Sequence, residues 1–292
     1  MPFDKTPSIS RRGALGVAAG AAIAPLALGA ARSVQAAAPM LGPSKPSHYR
    51  FNLGDFEVTT LADGAVQFDG PHPIFGQDQT PEAVAELAEA NYLPSDKMEI
   101  QFSPILVNTG DRLVLFDSGN GDARRPNAGN LLQAIKDAGY DTSDIDVVVL
   151  THMHPDHIGG LMEDGAPAYP NASYVTGSTE YDFWSNKDLL TGPTERVATL
   201  VQSNVVPLAD QMSFIGDEGE VVPGINALAA FGHTPGHMAY MIESNGEQLL
   251  LWADAANHYV MSVQRPDWHV RFDMDKEAAA ATRRRLFDMA AA

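Results

Sequence analysis

Cysteine is missing from all 292 residues, which excludes disulfides, thiolate metal ligands and a cysteine nucleophile together. Any metal the chain holds is held by nitrogen and oxygen. Positive charge is scarce as well: 19 basic residues stand against 37 acidic ones, for a formal net charge of −18. With no basic stripe, nucleic acid and anionic lipid are excluded as partners; small neutral or cationic substrates suit this balance better.

What the chain does have is a 45% hydrophobic content, enough for one large domain or two modest ones around a sizeable core. The N-terminus is a separate text. Arg11 and Arg12 precede an uncharged Ala/Gly/Leu-rich stretch from Gly13 to Ala31, and small residues follow near Val34-Gln35-Ala36. This pattern predicts a twin-arginine export signal over residues 1–38, recognised by the twin-arginine translocase. The stretch is about long enough to span a bilayer, but it is only weakly apolar and a cleavage site follows, so removal is expected rather than a stable membrane anchor. A periplasmic or secreted location follows, with metal loaded before export of the folded protein. Residues 39–50, rich in proline at their start, read as a flexible leader, and residues 51–292 as one globular domain.

Within that domain, "YRFNLGDFEVTTLADGAVQF" alternates apolar and polar residues around turn signals, as paired antiparallel strands do. The loop from Asp69 to Thr80 carries an apolar tip, Ile74 and Phe75, that either packs against a neighbour or forms a lid over a cleft; both residues are candidates for the substrate pocket. Phe102, Phe183 and Trp184 are further aromatic candidates. Thr80 and Pro81 open a helix with Val84, Leu87 and Tyr92 roughly on one face. Asn108 to Asp111 reads as a hairpin turn, "NLLQAIKDAGY" as a helix, and "DIDVVVL" as a strand buried on both faces. Strand, helix and buried strand in that order indicate an α/β class. Ser244-Asn245-Gly246 marks a second hairpin, and "DKEAAAATRRRLFDMA" a closing helix.

The stretch "LTHMHPDHIGG" crowds His152, His154, Asp156 and His157 into six residues of a chain with nine histidines. It follows the buried strand, where α/β folds place their chemistry. In an extended segment His152 and His154 point the same way, while the turn through Pro155 re-aims Asp156 and His157. Imidazoles mixed with a carboxylate suit a catalytic site for zinc, manganese, iron or cobalt.

These residues match the H-x-H-x-D-H signature of the metallo-β-lactamase superfamily, which the chain resembles from about Asn52 onward. "LVLFDSGNG" resembles the family's preceding strand and turn, with Asp117 and Gly119. "FGHTPGH" resembles its next ligand motif, and "LLLWADAANH" the strand ending in a metal-bridging aspartate. The resemblance implies an αββα sandwich and two divalent metal ions, zinc first among them. His152, His154 and His233 would hold one ion, Asp156 and His157 the other, and Asp254 both. Asp156 would also serve catalysis by returning a proton to the leaving group. His237 and His258 are expected as supporting residues near the ligands, and His258 is also considered as a substitute ligand. The motifs look most like the branch of methyl parathion hydrolases and related lactonases. That branch has a further histidine in an H-x-P-F-P motif. None occurs here, so the sequence is expected to stop short of the fold's last strands.

Such a site implies hydrolysis by a metal-activated water, with a lactone or ester carrying an acyl chain as first substrate and a phosphotriester as second. The alternatives are an iron-dependent redox enzyme on the same scaffold and a non-catalytic periplasmic metal-binding protein.

Overall fold

The computed structural model describes residues 45–292; the expected export signal and most of the leader lie outside the described residues. The described chain opens on strands β1 (His48–Leu53), β2 (Phe56–Leu61) and β3 (Gly64–Phe68). Helix α1 (Pro81–Ala90), strands β4 (Met98–Phe102), β5 (Ile105–Asn108) and β6 (Leu113–Phe116) and helix α2 (Leu131–Asp137) follow. Next come β7 (Val147–Leu150), the one-turn α3 (Pro155–Ile158), the short ribbon β8 (Met162–Glu163) and β9 (Ala166–Pro167), then β10 (Ser173–Gly177), α4 (Ser178–Trp184) and α5 (Glu195–Asn204). The last part holds β11 (Met212–Ile215), β12 (Glu220–Val222), β13 (Ile225–Ala229), β14 (Met238–Ser244), β15 (Glu247–Leu251), α6 (Met261–Gln264) and α7 (Lys276–Ala291).

Seven strands form one mixed sheet in the order β1-β2-β5-β6-β7-β10-β11, and four form a second in the order β12-β13-β14-β15. The first is antiparallel from β1 to β6 and parallel from β6 through β7 and β10 to β11. Period-2 alternation explains how it is covered. Leu115, Val148, Leu150 and Tyr174 face the helices, packing with Ile135 of α2, Trp184 of α4 and Val201 of α5. Their neighbours Val114, Phe116, Val149 and Val175 face the second sheet and meet Ala227, Tyr240 and Ile242. The far side of the second sheet presents Ala230 and Ala239 to Leu286 of α7. Helix, sheet, sheet, helix is the αββα sandwich, and it explains why "DVVVL" carries no polar face: both of its faces are interior.

Two details differ from the sequence expectation. Strand β1 begins at His48 and pairs residue for residue with β2, so the last three residues of the expected leader belong to the sheet. Tyr92 leaves the face of α1, is 99% exposed and takes φ 57, because the helix ends at Ala90 and Asn91 caps it. Thr80 caps the other end as expected, its hydroxyl accepting from the Ala83 amide at 3.2 Å.

Loops at the C-terminal edge of the first sheet are locked by close backbone approach. Gly121 has φ +67, and a Cβ there would lie 2.3 Å from the Gly159 carbonyl oxygen. Any side chain would push the turn after β6 away from the segment that carries His152 to His157. Asp63, fully buried, ties the same turn down by accepting from the Asn120 amide (2.9 Å), the Asn120 side chain (2.6 Å) and the Leu131 amide (2.9 Å).

Candidate metal centre and active-site cleft

Three loops meet at this edge. The first leaves β7, the second joins β13 to β14, and the third follows β15. The Met238 amide donates to the Thr151 carbonyl at 3.0 Å and stitches the first two together. Glu180 bridges them from below: one carboxylate oxygen accepts from the Met153 amide (2.8 Å), the other from the Thr234 hydroxyl (2.7 Å) and the Gly236 amide (2.9 Å). Burial raises the Glu180 pKa, and the three donors pull it back only in part.

On this frame His152, His154 and His233 converge. His154 Nδ1 lies 3.1 Å from His152 Nε2 and 2.9 Å from His233 Nε2, and Asp254 Oδ2 lies 3.4 Å from His233 Nε2. A second group adjoins it, in which His157 Nε2 is 3.5 Å from Asp254 Oδ1 and 3.7 Å from Asp156 Oδ2. Within each of the sets His152/His154/His233 and His152/His157/Asp254 the donor atoms lie within 4.8 Å of one another. Asp254 sits between the two sets, carried on a short turn in which Ala253 takes φ 45, an unusual conformation for a residue with a Cβ.

The other ring nitrogens of His152, His157 and His233 have fixed partners, which aims their Nε2 atoms inward, His152 Nδ1 lying 3.1 Å from the Thr151 hydroxyl. Asp117 Oδ2 lies 2.8 Å from His157 Nδ1, and the same carboxylate accepts from the Thr151 amide and hydroxyl at 2.8 and 2.9 Å. Asp273 Oδ1 lies 2.9 Å from His233 Nδ1. His237 stands behind the cluster, Nδ1 3.1 Å from the Ala230 carbonyl and Nε2 accepting the Asp254 amide at 3.1 Å.

The electrostatics suit a cation. Burial, then the neighbouring imidazoles, hold His152 well below the usual histidine range; burial and His233 do the same for His154, against the pull of Asp254. His237 is pushed down to about 3 by burial and His233. Burial would also lower His157, but the carboxylates of Asp117, Asp254 and Asp156 outweigh it and raise its pKa. For Asp254 burial acts upward, and His157, His233 and His237 more than reverse it, so the carboxylate stays ionised. Imidazoles held neutral at His152 and His154 beside an ionised carboxylate at Asp254 are donors suited to a divalent metal ion.

The cluster lies in a cleft of about 740 Å³. Its wall includes His154, Asp156, His157 and Asp254 together with Val66, Phe68, Ile100 and Phe102 from the β3–β4 ribbon and Trp252 and Phe272 opposite. Phe102, a candidate from sequence, is therefore a wall residue. Ile74 and Phe75 are not: they are 3% and 1% exposed and pack with Val84, Leu87 and Met261 in a separate apolar cluster under α1. The tip of that loop is core because α1 lies over it. Phe183 and Trp184 pack into the helix-side core. His258 is also displaced from its expected place: its Nδ1 accepts the Val260 and Met261 amides at 3.0 and 3.2 Å, capping α6, and it lines a neighbouring cavity. It belongs to neither donor set.

Sequence reasoning overlooked Glu180, Asp273 and Arg283. Arg283 is completely buried on α7; it pairs with Asp273 Oδ2 at 3.0 Å and donates to the carbonyls of Ala255, Pro266 and Trp268. It thereby holds the segment that follows Asp254.

Comparison with known proteins agrees with this geometry. The profile of the metallo-beta-lactamase superfamily matches residues 103–292. An N-acyl homoserine lactonase of a Bacillus sp is 26% identical over 196 residues, covering 63% of this chain and 70% of that protein. One from Bacillus thuringiensis is 27% identical over 170 residues, 54% of this chain and 62% of that protein, so the latter match falls short of two thirds of its length. Among solved structures, AidC, a dizinc quorum-quenching lactonase in complex with a product, superposes with a TM-score of 0.76 at 25% identity, over 83% of this chain and 86% of that one. AbOPH, a hydrolase in the beta lactamase superfamily, gives 0.76 at 26% identity, over 84% and 86%. The chain belongs to the metallo-beta-lactamase superfamily, and its chemistry is that of a metal-dependent hydrolase.

Proposed function

We propose that the protein is a zinc-dependent lactonase that opens the ring of a lactone bearing an acyl arm. The observation that carries this reading is the convergence of His152, His154 and His233 on Asp254 at the head of an apolar-walled cleft. The likeness to lactonases in sequence and in fold supports it.

In this reading His152, His154 and His233 would hold one ion and Asp156 and His157 a second, with Asp254 available to both. Bound divalent metal supplies Lewis acidity, which activates water at neutral pH and polarises a carbonyl. The chain's own residues do the rest. Asp117 and Asp273 orient His157 and His233, and Asp156, on the cleft wall, returns a proton to the alkoxide that leaves when the ring opens. Phe102, Val66 and Ile100 receive the acyl arm and exclude water from it.

The test is turnover by the zinc-loaded protein of an N-acyl homoserine lactone, an aryl ester and a phosphotriester side by side. Preferred ring opening, abolished by His154→Ala with unchanged circular dichroism, is expected. Preferred phosphotriester cleavage would move the protein to that branch; no turnover with metal bound would make it a binding protein.

A further inference from the structure

Ten arginines lie among the described residues, from Arg50 to Arg285. Seven are engaged within the protein. Arg112, Arg125, Arg283 and Arg284 pair with carboxylates, and Arg50, Arg265 and Arg285 donate to backbone carbonyls. The side chains of the other three, Arg124, Arg196 and Arg271, have no hydrogen-bond acceptor or ion-pair partner among the described residues, and all three line the cleft in front of the metal centre.

They arrive from three separate places: the turn Asp122–Arg124 after β6, the first turn of α5, and the loop before α7. The guanidinium carbon of Arg124 lies 5.5 Å from the centre of the Phe102 ring, and that of Arg271 5.4 Å from the centre of Phe272. Contact with a ring does not consume the N–H fork, which is the part that recognises an oxyanion. The carboxylates of the cleft, Asp117, Asp156 and Asp254, all belong to the metal centre or its support. Beyond them the charged lining is purely cationic. Net charge of −18 argues for neutral or cationic substrates, but a cleft concentrates the field of its own walls, and away from the metal centre the charged side chains on this wall are the three arginines.

We propose that the substrate carries an oxyanion, a carboxylate or a phosphate, on the arm remote from the scissile bond, and that Arg124, Arg196 and Arg271 receive it. The inference rests on the hydrolase reading for the position of the scissile bond, but binding tests it independently.

The experiment compares two γ-lactones with N-acyl arms of equal length, one ending in methyl and the other in carboxylate, using zinc-loaded protein. A phosphate-ended arm extends the series. The carboxylate-ended lactone is expected to show a kcat/KM about fivefold higher, the order that partly exposed charge pairs supply. The preference should fade at high ionic strength and vanish in the triple variant Arg124→Gln, Arg196→Gln, Arg271→Gln. Calorimetry of the two ring-opened acids, which need no turnover, gives the second readout. Tighter, arginine-dependent binding of the acid with the carboxylate-ended arm in a protein that opens neither lactone would sink the lactonase reading and leave this one standing. Equal turnover and equal binding would overturn it. So would arginine-dependent binding of the methyl-ended acid alone, which would assign the three cations to the carboxylate that ring opening creates.

Discussion

Asp273 holds His233 and Arg283 at once, one carboxylate oxygen 2.9 Å from the imidazole Nδ1 and the other 3.0 Å from the guanidinium, with both acidic and basic side chains fully buried. The closing helix is thus wired to a candidate ligand of the metal centre. A carboxylate behind a ligating histidine fixes its ring and raises its basicity. Asp273→Asn keeps the shape and removes the charge, so metal affinity is expected to fall about 10–100-fold. Competition with a chromophoric chelator measures it; unchanged affinity would leave Asp273 a purely structural partner of Arg283.

The metal-free protein should lose stability as pH falls below the ordinary histidine range. His237, with its pKa pushed down to about 3, resists a proton that the unfolded chain accepts near 6.5, so the unfolded state gains over that whole interval. His152 and His154 act in the same direction. His157 opposes them: its raised pKa contributes stability that is fully present below about 6.5 and lost as pH rises through the folded value. The windows do not overlap: below about 6.5 the His157 contribution is constant, and His152, His154 and His237 alone set the slope. Urea titrations of chelator-treated protein at pH 6.5, 5.5 and 4.5 should show a falling midpoint, and a rising one would contradict the burial of these imidazoles.

Phe75 and Phe102 separate core from cleft. Phe75→Ala is expected to cost about 3–5 kcal/mol of stability, as removal of a buried aromatic side chain does, without altering the ranking of substrates by acyl length. Phe102→Ala should do the reverse, raising KM for long-chain lactones with a thermal midpoint close to the parent. Denaturant unfolding together with a chain-length series of lactones distinguishes the two.

Export to the periplasm is a proposal that rests on Arg11 and Arg12 ahead of an uncharged stretch. Arg11→Lys with Arg12→Lys should leave the full-length precursor in the cytoplasm, as followed by cell fractionation and immunoblotting. Undiminished export would point to another route.

Much of this protein was legible because its chemistry is local. "HMHPDH" places four donors within six residues, and the buried run before it puts them at a strand end. "DIDVVVL" announced a strand with two interior faces, and Thr80-Pro81 a helix start. These signals need only the chain's own periodicity and the geometry of extended and turning backbone. They pointed to the α/β class, the lack of cysteine limited the donors to nitrogen and oxygen, and the order of the ligand motifs came from the resemblance to the family.

Tertiary structure decided what depends on residues distant in sequence. Ile74 and Phe75 could equally be a lid or a packed tip until α1 is laid over them, and His258, expected to support the ligands or substitute for one, is instead seen capping α6. Nothing local marks Glu180, yet its carboxylate bridges loops through partners 54 and 27 residues away along the chain. Arg283 is one of three consecutive arginines in the closing helix, and the sequence does not say which of them is buried; the fold places Arg283 against Asp273. Composition sums charge over the whole chain, whereas a cleft selects which charges face inward, so the unpaired arginines of the cleft could be found only in the fold.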